Sequence, residues 1–193
     1  MKQKEILLIG GGGHCRSVID VIEQEGRFTI AGIVDQEEAL VGKKILGYEI
    51  IATEEALQEL HKKYQYALIA VGQVRSNEAR VRLFAHLKEI GYTLPNIISP
   101  LAYCSKHAKI GEGSIVMHQA LINANATIGD NCIINTKALI EHDAIIESHT
   151  HISTAAAING GVRVKENSFV GSNATLREGI VVDGFIKAGT VQK

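Results

Sequence analysis

Residues 140–143 read Ile-Glu-His-Asp, which sets His142 between two carboxylates. A neutral imidazole can take a proton from an attacking nucleophile near pH 7, because its ordinary pKa lies there. A carboxylate on its other ring nitrogen fixes the tautomer and stabilises the imidazolium that forms. Asp143 is expected to be that carboxylate, with Glu141 as the second candidate. His149 and His151 raise a different chemistry: alternate residues of a strand share a face, and two histidines on one face can begin a zinc site. Near the other end, Gly10-Gly11-Gly12-Gly13-His14 follow an apolar run and open a helical pattern. Glycines at a strand-to-helix turn let backbone N–H groups approach a phosphate. Asp35 closes the next apolar run and could accept from a ribose hydroxyl. Cys15 stands where the dinucleotide fingerprint has its third glycine, so a mononucleotide or nucleotide-sugar is the expected ligand.

The elements that must position these residues differ between the two halves. From Leu101 the chain divides into fifteen consecutive sixes, the fourth place running from Cys104 and Ile110 through Ile140, Ile146 and Ile152 to Val182 and Ala188. The second place is mostly Ala or Ser. Residues two apart on a strand point the same way, so a small residue and a branched aliphatic together fill a narrow interior. Asn, Asp, Gly, Ser and His gather at the sixth and first places, where corners are expected. Each six is one short strand and one corner, three sixes make a triangular coil, and coils stack as in solenoids. On this spacing His142 and Gly160 share a corner of successive coils, while Thr154, Ser172 and Thr190 form another column of small residues.

The first half alternates strands and helices: strands at 5–10, 28–34 and 66–71, helices at 14–25, 54–64 and 77–90. A small parallel sheet of Rossmann-like α/β type follows. Gly72 ends the third strand. Pro95 and Pro100, the only prolines, bracket the passage into the repeat, so the domains are expected to be 1–98 and 99–193.

Composition narrows the function. Among 193 residues, 46% are hydrophobic and only 5% aromatic, with 19 glycines, which suits narrow regular β-structure. A net charge of −1 without long single-sign runs offers no footprint for nucleic acid or an anionic membrane. No segment is long enough to insert in a bilayer. Cys15, Cys104 and Cys132 lack metal-type spacing and read as reduced thiols, so a cytoplasmic location is expected.

Strand, Gly-Gly-His, helix with Val-Ile-Asp, then Val-Asp, then Ala-Val-Gly-Gln, then hexapeptides carrying Ile-Glu-His-Asp resembles one family over nearly the whole chain. That family comprises the bacterial nucleotide-sugar N-acetyltransferases and sialic-acid O-acetyltransferases of surface glycan synthesis. The resemblance implies that the repeat is a left-handed parallel β-helix, a hand the spacing alone does not give. It implies a homotrimer using acetyl-CoA and no metal, with the pantetheine arm lying between neighbouring subunits. It implies N-acetylation of a UDP- or GDP-linked 4-amino-4,6-dideoxy sugar, with O-acetylation of a sialic-acid-like sugar as the close alternative. By position, Gly12, Gly13 and His14 match the family's phosphate-side turn, Asp35 its nucleoside acid, and Gly72 and Gln73 its third loop. His142 matches its catalytic base, Asp143 the supporting acid, and His151 a position touching acetyl-CoA; Gly160, Ser172 and Thr190 would wall the pantetheine arm. A short Gly-x-Pro-Ala-Lys tail found in that family has no counterpart here. Two other readings stand beside this one, a γ-carbonic-anhydrase-like zinc enzyme and an inactive binding or scaffold trimer.

Overall fold

The structure is a computed structural model and describes residues 4–74 and 76–193. The chain forms two compact units, Met1–Gly72 with Glu78–Pro95, and Gln73–Asn77 with Asn96–Lys193.

The first unit runs β1 (Lys4–Ile9), α1 (Gly13–Glu25), β2 (Phe28–Asp35), β3 (Lys44–Ile45), β4 (Tyr48–Thr53), α2 (Leu57–His61), β5 (Tyr66–Ile69) and α3 (Glu78–Ile90). Sheet order is β3-β4-β2-β1-β5, parallel throughout except for the antiparallel β3. Ile6, Leu7, Leu8 and Ile9 in the middle of this sheet are wholly buried, which is why β1 reads as an unbroken apolar run rather than an alternating one. Cys15, Val18, Ile19 and Ile22 supply the buried side of α1. The β3–β4 hairpin was not expected from the sequence. Its turn is Leu46-Gly47, both at positive φ (46° and 91°), the backbone that two-residue hairpins need. The expected helix over 54–64 is shorter, a 3₁₀ turn at Glu54–Ala56 followed by α2. The carboxyl ends of β1, β2 and β5 lead into Gly10–Gly12, Gln36 and Gly72, the end of an open parallel sheet where ligands bind.

The second unit is a three-sided parallel β-helix. Two-residue strands recur at the third and fourth places of each six, and each pairs with the strand eighteen residues on, as in Leu121↔Leu139 and Leu139↔Ala157. They form stacks of six, five and six strands. Ile122, Ile128, Ile134, Ile140, Ile146, Ile152, Ile158 and Val164 fill the interior at 2% exposure or less. Ala126, Ala138, Ala144 and Ala156 sit beside them, wholly buried, so the small-plus-branched packing expected of the repeat is what the core shows. One residue per six adopts positive φ at a corner, including Asn125 (60°), Asn131 (53°), Asp143 (62°), Asn167 (63°) and Asn173 (56°). Asn and Asp tolerate this backbone through local hydrogen bonds, which accounts for their place in the repeat.

The regular spacing breaks once, and here the sequence reading is corrected. Val181–Val182 is followed by a strand at Phe185–Ile186, four residues on rather than six. Gly184 (φ 74°) makes the shortened corner. Pairing thereafter is offset by sixteen, Phe169↔Phe185 and Thr175↔Val191. Ile186 therefore points inward, and Ala188, expected in the interior, is exposed. Thr190 leaves the column of Thr154 and Ser172 for the same reason: the N–H that reaches the Ser172 carbonyl is Gly189's, at 2.8 Å. Among the described residues, no helix is long and apolar enough to cross a membrane.

Candidate active site

His142 occupies the corner between the strands Leu139–Ile140 and Ile145–Ile146. The next residue, Asp143, takes the left-handed backbone, and this turns its carboxylate back to the ring, with Nδ1 of His142 2.8 Å from Asp143 Oδ2. The second carboxylate oxygen, Oδ1, accepts from Asn125 Nδ2 at 2.6 Å, one coil earlier. Glu141 does different work: its Oε2 accepts from Asn123 Nδ2 (2.9 Å) and from the backbone N–H of His142 (3.2 Å), so it holds the corner rather than the ring. The Asp143 hydrogen bond first, and then the charges of Asp143 and Glu141, raise the His142 pKa above its ordinary value against an opposing desolvation. Asp143 is held below the usual carboxylate range, first by the Asn125 amide and then by His142. With Asp143 accepting from Nδ1–H, the lone pair belongs to Nε2. That atom lies over Gly160: a β-carbon there would fall 2.9 Å from it. The side chains of His142 and Asp143 are 63% and 55% exposed, so a substrate can reach the pair.

The two histidines of the metal reading, His149 and His151, are tied up. His151 is buried, with Nδ1 on the backbone oxygen of Gln73 and Nε2 on Asn135 Nδ2 at 3.1 Å. A carbonyl can only accept, so Nδ1 carries the proton and Nε2 accepts from the amide. Gln73 belongs to this unit, its amide donating to the His149 and Ser168 carbonyls at 3.1 and 3.3 Å. His149 sits at a corner with Nδ1 3.0 Å from Asn131 Nδ2. The two histidines thus face different partners. Among the described residues, no group of three or more His, Cys, Asp or Glu is placed to hold a metal. Ser172 shares a 2.9 Å hydroxyl bond with Ser153, and Thr190 donates to the Lys187 carbonyl at 2.7 Å.

In the first unit, a cleft of about 300 Å³ opens at the strand ends, lined among others by Gly10, Gly11, Gly12, Asp35, Glu54, Gly72 and Arg82. Asp35 accepts from the backbone N–H of Gly11 at 2.6 Å and of Glu37 at 3.1 Å. A β-carbon on Gly11 would lie 3.1 Å from the Asp35 carboxylate, so the close turn needs glycine. Gly12 caps α1 without a side-chain hydrogen bond, and the first turn carries no acidic residue. The helix start carries no acid of its own, and its open backbone N–H groups beside the glycine turn are a setting suited to a phosphate. Gly13 and His14 begin α1 and are not part of the cleft lining, although His14 Cβ lies beside Gly72.

Two family models match the chain, the PglD N-terminal domain over residues 5–87 and the bacterial transferase hexapeptide (six repeats) over residues 107–142. A histidine-to-asparagine variant of perosamine N-acetyltransferase from Caulobacter crescentus, solved with CoA and GDP-perosamine, superposes with a TM-score of 0.90 at 33% identity, covering 97% of this chain and 87% of that one. The chain belongs to the nucleotide-sugar N-acetyltransferase family. The acetyltransferase domain of PglB from Neisseria gonorrhoeae FA1090 superposes at 0.88 with 30% identity, covering 98% of this chain and 91% of that one. The same domain solved with acetyl coenzyme A gives 0.88 at 29% identity, with 99% and 93% covered. No curated protein sequence matches the chain significantly.

As a member of this family the protein is an acetyl-CoA-dependent acetyltransferase, and its repeat half is the left-handed β-helix of the hexapeptide transferases. The structure adds residues to this acetyltransferase's two sites that the sequence did not single out. Arg82 on α3 pairs with Glu54 in the wall of the cleft at 2.8 and 3.2 Å, and their separation of 28 positions carries no readable signal. Asn125 was readable in principle, since it precedes Asp143 by one coil of eighteen.

Proposed function

We propose that this enzyme transfers the acetyl group of acetyl-CoA to the amino group of a UDP- or GDP-linked 4-amino-4,6-dideoxy sugar, with His142 as the general base. The observation that carries the reading is the Asp143-held imidazole, exposed, with its basic Nε2 over a glycine. In the reaction the sugar amine attacks the thioester carbonyl and passes its proton to Nε2. A carbon–nitrogen bond forms, the carbon–sulfur bond breaks, and the CoA thiolate leaves to take up a proton. Asp143 keeps Nδ1 protonated and stabilises the imidazolium, while Glu141 fixes the peptide between them.

The sugar nucleotide is assigned to the first unit. Asp35 stands where the nucleoside would lie, and the glycine turn and Gly72 where the diphosphate would lie. Two solved relatives support the ligands: the Caulobacter enzyme holds CoA and GDP-perosamine, and the Neisseria domain holds acetyl coenzyme A. Gly160 and Ser172 are assigned to the pantetheine wall with His151 behind it, while Thr190 is displaced from that wall by the shortened corner. The working form is read as a homotrimer in the cytoplasm. One flat side of the β-helix presents Tyr103, Leu121, Leu139, Ala157, Thr175 and Val191 outward, a largely apolar stripe suited to a second copy of the chain.

Turnover of acetyl-CoA across UDP- and GDP-linked 4-amino sugars and free sialic acids tests the assignment. Acetylation of a nucleotide-linked amine, with none of a sialic acid hydroxyl, is the expected result. A panel in which only hydroxyl acceptors react would replace it with O-acetylation.

A further inference from the structure

The carboxylate that orients His142 is itself oriented by a neutral amide one coil below. Asn125 and Asp143 are both left-handed corner residues, φ 60° and 62°, stacked eighteen apart. The same backbone in both aligns their side chains, and Asn125 Nδ2 reaches Asp143 Oδ1 at 2.6 Å while Oδ2 faces the imidazole at 2.8 Å. We infer that Asn125 is a positioning residue of the acetyl transfer, the far member of an Asn125–Asp143–His142 relay that keeps the carboxylate against Nδ1. The inference rests on the reading of His142 as the base.

The physical need is plain from exposure. Asp143 is 55% exposed, and a carboxylate in water rotates freely about its Cβ–Cγ bond unless its second oxygen is held. A single bond to an equally exposed imidazole does not prevent that rotation; two bonds at opposite oxygens do. The amide is the right anchor because it donates without charge. A lysine in its place would compete with the imidazole for the carboxylate. Among the described residues, the charged groups that act on the ring are Asp143 and Glu141. The flanking coils present Asn123, Ala124 and Asn125 on one side and Asn159, Gly160 and Gly161 on the other, none of them charged. Rotation of Asp143 is therefore the main way for the ring to lose its partner.

The test is Asn125→Gly, which removes the amide while keeping a residue at ease with φ near 60°. Imidazole nitrogen shifts in the nuclear magnetic resonance spectrum of the whole enzyme report the tautomer and titration of His142 without turnover. In the parent enzyme the Nδ1–H form should dominate. In the variant the ring should move towards the Nε2–H form, its titration should shift to lower pH, and kcat should fall about tenfold, short of the 10²–10⁴-fold expected for loss of a base. Unchanged tautomer and titration would overturn the relay. If His142→Ala proves active, the reading of His142 fails while the spectra still decide the relay. Thermal melting separates both from a variant that fails to fold.

Discussion

The imidazole of His142 lies against Gly160, one coil further on, so closely that a β-carbon at 160 would sit 2.9 Å from both Cε1 and Nε2. The backbone there does not demand glycine. The left-handed corner residue is the neighbour, Gly161 at φ 67°, whose N–H reaches the His142 carbonyl at 3.0 Å. Glycine at 160 serves the ring. The pairing also places both residues at one corner of a single chain.

Gly160→Ala should therefore damage chemistry without unfolding the protein. The exposed ring can escape the new methyl only by swinging outward, and that motion breaks its bond to Asp143. We expect kcat to fall at least about tenfold, since displacing a positioned group by around 1 Å can cost up to a hundredfold. The melting temperature should change little. Wild-type kcat in this variant would mean that the ring position is not used.

His142→Ala should lower kcat by about 10²–10⁴ while acetyl-CoA still binds, measured by turnover and by calorimetry. A variant turning over near the parent rate would remove His142 from the mechanism.

The pH dependence separates the two carboxylates. The base must be neutral, so activity is lost as pH falls through the His142 pKa, which Asp143 and, less strongly, Glu141 hold above its ordinary value. Asp143→Asn removes the raising partner. The acid limb of the kcat/KM profile should then move to lower pH, with a lower plateau because the imidazolium loses its stabiliser. Glu141→Gln should move the limb less, because that side chain bonds to Asn123 and to the backbone rather than to the ring. A larger shift from Glu141→Gln would exchange their roles.

The repeat was legible because interior and corner obey a strict period, and His142, Gly160 and the Ile column fell out of it directly. The period also hid its own exception. Ala188 and Ile186 are both plausible inward residues in Gly-Phe-Ile-Lys-Ala-Gly, and only the tight corner at Gly184 and the stacking of Phe185 on Phe169, centroids 5.1 Å apart, decide between them. Gln73 was read as part of a loop following a strand in the first half. Its place in the second unit depends on hydrogen bonds to residues 76 and 95 positions away, which no local pattern encodes. The β3–β4 hairpin escaped because Leu46 stands where Asn or Gly usually announces such a turn.

Asp35→Asn should raise the KM for the nucleotide-sugar about tenfold and leave that for acetyl-CoA nearly unchanged. The native carboxylate accepts from the Gly11 and Glu37 N–H groups, and asparagine can replace only one of those acceptors. Hydrogen bonds to charged groups are worth roughly 1.5–3 kcal/mol, or about 10- to 150-fold, so a tenfold rise is the low end of the expected effect. Steady-state kinetics with each substrate varied in turn give both constants. A change confined to acetyl-CoA would reverse the assignment of the two units.

The proposed trimer makes the sharpest prediction about the β-helix surface. Leu121 and Leu139 pair in the middle of one flat side, half-buried in the single chain, with Tyr103 and Val191 at its ends 59% and 62% exposed. The neighbouring side carries Lys109, Thr127, Ile145, Arg163 and Val181 at equivalent places, and its two cations suit it better to water. Leu139→Arg puts a charge on the apolar side at a position whose inward neighbour, Ile140, is untouched, so the coil itself should survive. An unpaired charge trapped in an interface costs roughly 3–5 kcal/mol, or about 10²–10³-fold in association at each contact. Sedimentation should show the parent as a trimer and the variant as a monomer with its β-structure and melting transition intact. If the pantetheine arm lies between subunits, that monomer should bind acetyl-CoA weakly and transfer acetyl at a rate near background. A fully active monomeric variant would confine the whole acetyl-CoA site to one chain and end the proposal of a shared site.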